Sequence, residues 1–536
     1  MTLRSTLPLL LLASGLLQPS ALGAAVSPEE SQAWREDLRF VQERMPEIHP
    51  NLFHTLPRAE FDASIDTLID RLPGMSHHEI IAELAAIVAA VGDGHTRLTL
   101  PLVEGSGFFT GHSTTPPPSS PEMTFHYLPI RLFFFDDGLF VTETDRAHAE
   151  YLGARVERIG SLSADAAMQR MSRVIHRDND LQLRSLLPSR LVIPELLQAL
   201  RIIEDPERAE FELSTGGEPP RKIVLTAVPE GSVVDWVTSS SLAPEQPLYL
   251  RHPDRNYWFE SLDAHDTVFC QYNEVYDQGE ESIAAFSGRL TGFIANHSVK
   301  TLILDLRFNH GGDNSLNRSF LHALIRCPAL REPGHFFVII GRDTFSAAMM
   351  FAIDLEKHTS AIFVGEPTGG RPNHFGDSRK IQLPNSDLTV RVSTLYWQYS
   401  GPKDDRPWLP PQIPVRFVSD DERLGRDPAL ERILELVSAS PGGPPAGRWT
   451  GRALDYDIVV HLQRSGSQWD AQLDIPGEGV TDLPLANVRY EAPSLRFDLP
   501  NGEEMISFDG EIRDDTVIGR VTLSGQSYPW VMTAAD

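Results

Sequence analysis

The sequence predicts a multidomain α+β protein: an N-terminal helical domain, a small α+β module, an α/β core with a largely parallel sheet, and a C-terminal antiparallel β-barrel or sandwich. Three observations carry this reading. The chain has 536 residues, enough for about three or four domains. Its apolar period passes from helical spacing, through alternating strands and helices, to strict two-residue alternation near the C-terminus. Stretches rich in Gly, Pro, Ser and Thr punctuate those changes.

At the N-terminus, Arg4 precedes an apolar run over residues 7–17 and the small-residue site Ala21-Leu22-Gly23. A helix of roughly 11 residues reaches only about 16 Å, against a hydrocarbon core of about 30 Å, so residues 1–23 read as a secretory signal peptide rather than an anchor. The mature chain is then expected to be exported, periplasmic or secreted, without stable membrane insertion. Residues 24–102 repeat apolar positions at helical spacing (Trp34, Leu38, Val41, Met45; Phe61, Ile65, Leu68, Leu72; then 78–91) and form the helical domain. Residues 103–127 read as a Gly/Ser/Thr/Pro-rich loop. Residues 128–228 mix five short strands with a helix over 164–175, and residues 229–265, with little periodicity, read as a linker.

Residues 266–438 alternate apolar strands (301–306, 336–341, 361–364) with helices (281–295, 315–326, 346–357), the pattern of a buried parallel sheet covered by helices. Such sheets bind ligands at the carboxyl ends of their strands. A Pro/Gly linker at 439–446 closes this unit, and residues 447–536 carry the period of two.

The charge balance, 47 Lys and Arg against 74 Asp and Glu for a formal charge of −27, repels phosphate backbones, so nucleic acid is not expected as a partner. Two cysteines, Cys270 and Cys327, make neither a disulfide framework nor a Cys-based zinc site. Both fit buried thiols, with a single bridge as the alternative, and neither suits a nucleophile. His77-His78-Glu79 lacks the two-His spacing of a helical zinc protease and reads as a helix start. No metal or cofactor motif is found.

Three segments could carry chemistry. Residues 302–312 (LILDLRFNHGG) end a buried strand in Gly311 and Gly312, where backbone N–H groups can turn towards a ligand, the material of an oxyanion hole. Ser346 follows a buried strand and opens a helix, where a hydroxyl can project and free N–H groups favour developing negative charge. His95, in Gly92-Asp93-Gly94-His95-Thr96, supplies a base that works near neutral pH. Alone, each also has an ordinary reading: a strand-to-loop turn, a Ser N-cap, a surface His.

Taken together and in order, GDGHT at 92–96, DLRFNHGG at 305–312, TFSAA at 344–348 and GEPTGG at 365–370 resemble the tail-specific (C-terminal-processing) and tricorn-core serine peptidases over roughly residues 30–435. The resemblance implies Ser346 as nucleophile and an oxyanion hole from Ala347 with Gly311 or Gly312. It also implies a PDZ-like module at 128–228. Tail-specific enzymes use a Lys some 25 residues after the Ser, but this chain has Arg371 there, and a guanidinium does not accept a proton at working pH. Lys357 lies roughly eleven helical residues, about 16 Å, beyond Ser346. A Ser–His arrangement through His95 is therefore expected, similar to the tricorn-like branch, although Gly94 stands where that branch has a Ser before its His.

Asp404 or Asp405 is the candidate to orient His95, with solvated loop charges as the alternative. Asn373, His374, Tyr272 and Asn273 are candidate cleft residues. The module containing Trp449-Thr450-Gly451 resembles lipocalin-like β-domains appended to secreted hydrolases. The expectation is an exported serine peptidase acting on a peptide or protein substrate. A non-catalytic binding protein on the same scaffold and an esterase-like hydrolase are the alternatives.

Overall fold

The computed structural model describes residues 23–103, 121–229, 231–242, 246–439, 442–454, 456–502 and 504–535. The expected signal peptide, but for Gly23, and most of the expected loop at 103–127 lie outside the described residues, as does part of the linker at 439–446. Among the described residues no helix is long and apolar enough to cross a membrane.

Three helices open the chain, Pro28–Ile48, Arg58–Arg71 and His77–Ala89. The first and third begin in capping boxes. Ser27 pairs with Glu30 and Ser76 with Glu79, each satisfying backbone N–H groups that a helix start leaves free. Glu79 is thus a capping residue. The helices' apolar faces merge with the interior of the next module into one continuous core, from Trp34 and Leu38 to Val156, Phe211 and Leu213, which also takes in Ile381, Val390 and Val392.

That module holds strands Ile130–Phe135, Gly138–Asp145, Arg155–Ile159, Ala209–Ser214 and Arg221–Leu225 in one antiparallel sheet, with the helix Ala164–Met171. It also carries two helices the periodicity did not reveal, Asp180–Arg190 and Pro194–Ala199. Pro188 lies inside the first and Pro194 opens the second, and burial on several sides removes the amphipathic stripe.

The core sheet runs Ile413–Pro414, Ile362–Gly365, Phe336–Ile340, Thr301–Asp305 and Thr267–Tyr272, all parallel, with Tyr257–Leu262 antiparallel at the edge. The stretch 229–265, expected as a linker, therefore supplies a sheet edge. Helices Ile283–Asn296, Asn317–Arg326 and Ala347–His358 contribute to the core on one face, and helix Pro428–Ser438 to that on the other. Each fully buried Leu, Ile or Val of such a sheet stabilises by about 1.5–3 kcal/mol, which fixes the strand ends on which the site is built. Four short strands between 373 and 398 were also not foreseen. Arg379–Gln382 and Thr389–Val392 pair with each other, and the latter pairs with Arg97–Thr99 from the N-terminal region.

The last nine strands form one antiparallel, nearly closed sheet, and its two outermost strands, Val480–Pro484 and Ala486–Glu491, are consecutive. Trp449, Phe497, Phe508 and Trp530 fill its interior. Ile518 and Val531 from this barrel pack with Ile433 and Phe337 of the α/β core, so it is docked rather than strung on a linker.

Candidate active site

Ser346 stands immediately after the strand Phe336–Ile340 and its turn, and before the helix Ala347–His358. Its backbone is forced to φ 55° and ψ −124°, and its side chain makes no capping hydrogen bond. An L-residue held in that region costs about 1–3 kcal/mol and persists only when its surroundings impose it. Here they do. Phe345 N–H donates to the Asn309 carbonyl at 3.1 Å, and Thr344 Oγ1 donates to the Leu306 carbonyl at 2.9 Å. Both bonds fasten the turn to the end of the neighbouring strand. An ordinary N-cap would turn its hydroxyl onto its own helix; Ser346 Oγ lies 3.0 Å from His95 Nε2.

His95 is buried, 8% exposed, with Phe345 stacked on its ring at 4.5 Å and His374 at 5.7 Å between centroids. Burial, then the neighbouring His374, push its pKa down to about 3, against the opposing pull of the Asp93 carboxylate. The ring is thus unprotonated at neutral pH.

Asp93 holds the His95 loop. Its Oδ1 accepts from the backbone N–H of His95 (2.7 Å) and Thr96 (2.6 Å) and from Ser393 Oγ (3.0 Å), and its Oδ2 lies 2.9 Å from His49 Nε2. Burial works against this carboxylate's ionisation, yet the bonds from His49 and Thr96 hold its pKa well below the usual range. On the other side, Gly94 N–H donates to Asp178 Oδ1 at 2.7 Å. Burial and the nearby Asp93 push Asp178 up to about 7. Gly94 has no room for a side chain, because a Cβ would sit 2.6 Å from Gln182 Oε1 and 2.8 Å from the Phe345 ring.

The ligating atoms of His49, His54 and Asp93 lie within 4.8 Å of one another, the spacing of a metal site. The backbone speaks for a different role. Asn51 N–H donates to His49 Nδ1 at 3.0 Å, so the ring carries its hydrogen on Nε2 and donates it to Asp93. The cluster works as a hydrogen-bonded brace. Neither His49 nor Asp93 was singled out from sequence; only the placement of Asp93 two residues before His95 could have drawn attention to it.

The strand-end glycines divide their work. Gly311 N–H is taken by Asn309 Oδ1 at 2.9 Å, so it is not the free donor its place in the motif suggested. Its φ is +102°, and a Cβ there would lie 2.8 Å from both Ala347 N and Ser346 Cβ; Gly311 lets the loop approach the Ser346 turn. Among the described residues no protein acceptor engages the N–H of Gly312 or Ala347. The Ala347 carbonyl is fixed by Asn317 Nδ2 at 3.0 Å.

Other expected residues fall elsewhere. Asp404 does not reach His95: its carboxylate binds Ser400 Oγ at 2.5 Å and Arg406 Nη2 at 2.7 Å. Asp405 is exposed. Among the described residues His95 Nδ1 has no hydrogen-bond partner, and the Phe375 backbone is the polar main-chain group that acts on the ring. Tyr272 is fully buried and donates to Asn317 Oδ1, so it belongs to the core and not to a cleft. Asn273 and Asn373 are loop braces, bonded to the carbonyls of Arg255 and of Gly401 and Asp404 respectively. His374 does lie at the site, beside His95. Arg371, where a tail-specific enzyme would carry its Lys, donates through Nε to the Asp178 carbonyl at 2.6 Å. Cys270 and Cys327 are free and buried, and burial pushes both thiols up.

The sequence matches no family model and no curated protein. Solved structures do share its fold. Mature CPAF complexed with lactacystin is similar at a TM-score of 0.54 and 14% identity, covering 76% of this chain and 98% of that one. Mature CPAF alone gives 0.53 at 14% identity, covering 76% and 97%.

Proposed function

We propose that this chain is an exported serine peptidase in which Ser346 is the nucleophile and His95 its base. The carrying observation is the 3.0 Å contact between Ser346 Oγ and His95 Nε2, made by a serine whose backbone is held out of helical geometry and whose hydroxyl caps nothing. A nucleophile and base at hydrogen-bond distance are the minimal acyl-transfer unit. Ser346 Oγ attacks the scissile carbonyl as its proton passes to His95 Nε2, and the N–H groups of Ala347 and Gly312 receive the oxyanion. His95 then returns the proton to the leaving amine, and water, activated by the same nitrogen, releases the acyl group. In place of a carboxylate on the far ring nitrogen, Asp93 holds the His95 backbone while Phe345 and His374 hold the ring plane.

The motif resemblance supports peptide over other acyl substrates. On the same resemblance, the antiparallel module at 128–228 is a PDZ-like element that takes a peptide end by strand addition. Residues 1–23 direct export.

The test is labelling of the purified mature chain by a fluorophosphonate probe, beside S346A and H95A, followed by a peptide library. Labelling lost in both variants, with cleavage of peptides but not of simple esters alone, is expected. A folded wild-type chain that does not label would overturn the reading in favour of a binding protein on this scaffold.

A further inference from the structure

The carboxyl ends of the core strands border a second concavity, lined by neither Ser346 nor His95. This cavity, of about 250 Å³, lies where the middle module meets the α/β core, and Gly341, Arg342 and Asp343, the start of the Ser346 turn, form part of its wall. Its apolar lining combines aliphatic residues, Ile339 and Val415 among them, with an aromatic group. Phe135 and Phe417 stand 5.2 Å apart between centroids, and Phe133 meets Phe417 edge-on at 6.0 Å.

The charges that line it are unevenly matched. Arg307 is neutralised by Asp305 and Asp427 at 2.8 Å each, Arg342 by Glu366, and Arg416 lies 3.9 Å from Asp136. Glu143 has Arg131 at 2.9 Å. Two lining carboxylates have no cation among the described residues: Asp343, which accepts from Ser185 Oγ, and Glu422, which accepts from Ser239 Oγ at 3.0 Å and from Tyr249 OH at 3.5 Å and lies beside the aromatic residues Tyr249 and Phe417 that line the cavity. Burial raises the pKa of Glu422 from the ordinary carboxylate value, the direction that a bound positive charge would reverse.

We propose that this cavity binds a small organic cation with an aromatic body, an arylalkylamine, its ring against Phe135 and Phe417 and its ammonium group at Glu422. The size fits: an apolar cavity of about 150 Å³ accepts benzene, so this one takes a ring with a short tail. The chemistry fits as well. Offset and edge-on contacts suit a third ring, and a carboxylate that is partly desolvated and lacks a cation gains most from an ammonium donor. The inference is independent of the reading of Ser346.

The experiment is calorimetric titration of the full mature chain with 2-phenylethylamine, 2-phenylethanol and phenylacetate, which share a ring and differ in charge. The amine is expected to bind about tenfold or more tighter than the alcohol, the loss a charge-assisted hydrogen bond typically represents, and phenylacetate weakest. E422Q, which removes the charge and keeps one acceptor oxygen for the nearer donor, Ser239 Oγ, should bring the amine down to the level of the alcohol. F417A should weaken both while leaving their ratio intact. Equal affinity for the three compounds, no binding of the amine, or amine binding unchanged in E422Q would each overturn the proposal.

Discussion

Replacing Asp93 with Asn tests whether the buried brace, rather than a carboxylate on the imidazole, positions His95. The wild-type carboxylate accepts four hydrogen bonds, three on Oδ1 and one on Oδ2. An amide keeps one acceptor oxygen. If it stays at the Oδ1 position, an NH2 faces the His49 Nε2–H; if the amide flips, the NH2 faces two backbone N–H groups and Ser393. His49 cannot readily change tautomer, because its Nδ1 accepts from Asn51. The loss is one charge-assisted bond, about 1.5–3 kcal/mol, plus an unsatisfied buried donor at about 1–3 kcal/mol. A cost of about 2.5–6 kcal/mol is a large part of the roughly 5–15 kcal/mol that holds a domain folded.

The thermal midpoint of D93N, followed by circular dichroism, should therefore fall by about 10 °C. Fluorophosphonate labelling of the protein that is still folded should slow by about ten- to a hundredfold as the His95 backbone drifts. The pair D93N/H49Q restores a donor–acceptor match between two amides and should recover part of the midpoint, a coupling expected only of residues in direct contact. A D93N chain that unfolds and labels like wild type would refute the brace.

Two further outcomes follow from the same geometry. Gly311→Ala places a Cβ 2.8 Å from Ala347 N and Ser346 Cβ at a φ of +102°, so labelling should fall about a hundredfold. Gly401→Ala, where a Cβ meets nothing within 4 Å, should label normally, and similar rates in both would sink the close-approach argument. The depressed pKa of His95, about 3, gives a signed pH dependence. Below pH 6.5 the unfolded chain binds a proton at this position that the folded chain refuses, so this group's contribution to stability is complete above 6.5 and is lost as pH falls towards 3. Labelling of the folded chain should accordingly pass from pH 8 to 5 without a drop centred near 6.5; a titration at that value would show an ordinary, solvated imidazole.

How much of this was legible in the sequence depended on the range of the interaction. The parallel strands Thr301–Asp305 and Phe336–Ile340 announced themselves because a strand buried on both faces is apolar at every position. The capping boxes at Ser27 and Ser76 were equally local. The strands between 373 and 398 were hidden, since each is four residues long and one of their partners, Arg97–Thr99, lies some 300 positions away. The edge strand Tyr257–Leu262 alternates little because both of its faces meet apolar cores, Tyr257 and Phe259 on one side and Trp258 and Leu262 on the other. Neither propensity nor period encodes such pairings.

The site divides in the same way. Sequence alone nominated Ser346, His95 and the glycines, because a nucleophile turn and a strand-end Gly pair are short motifs with steric requirements of their own. Only the tertiary structure could bring Ser346 within 3.0 Å of a His 251 residues earlier. It alone gave the Gly311 N–H to Asn309, took Asp404 away to Arg406, and put Asp93 and His49 behind His95. Which donor meets which acceptor in a buried cluster is decided by packing across the whole chain, and burial is also what sets the charge state of the groups it encloses.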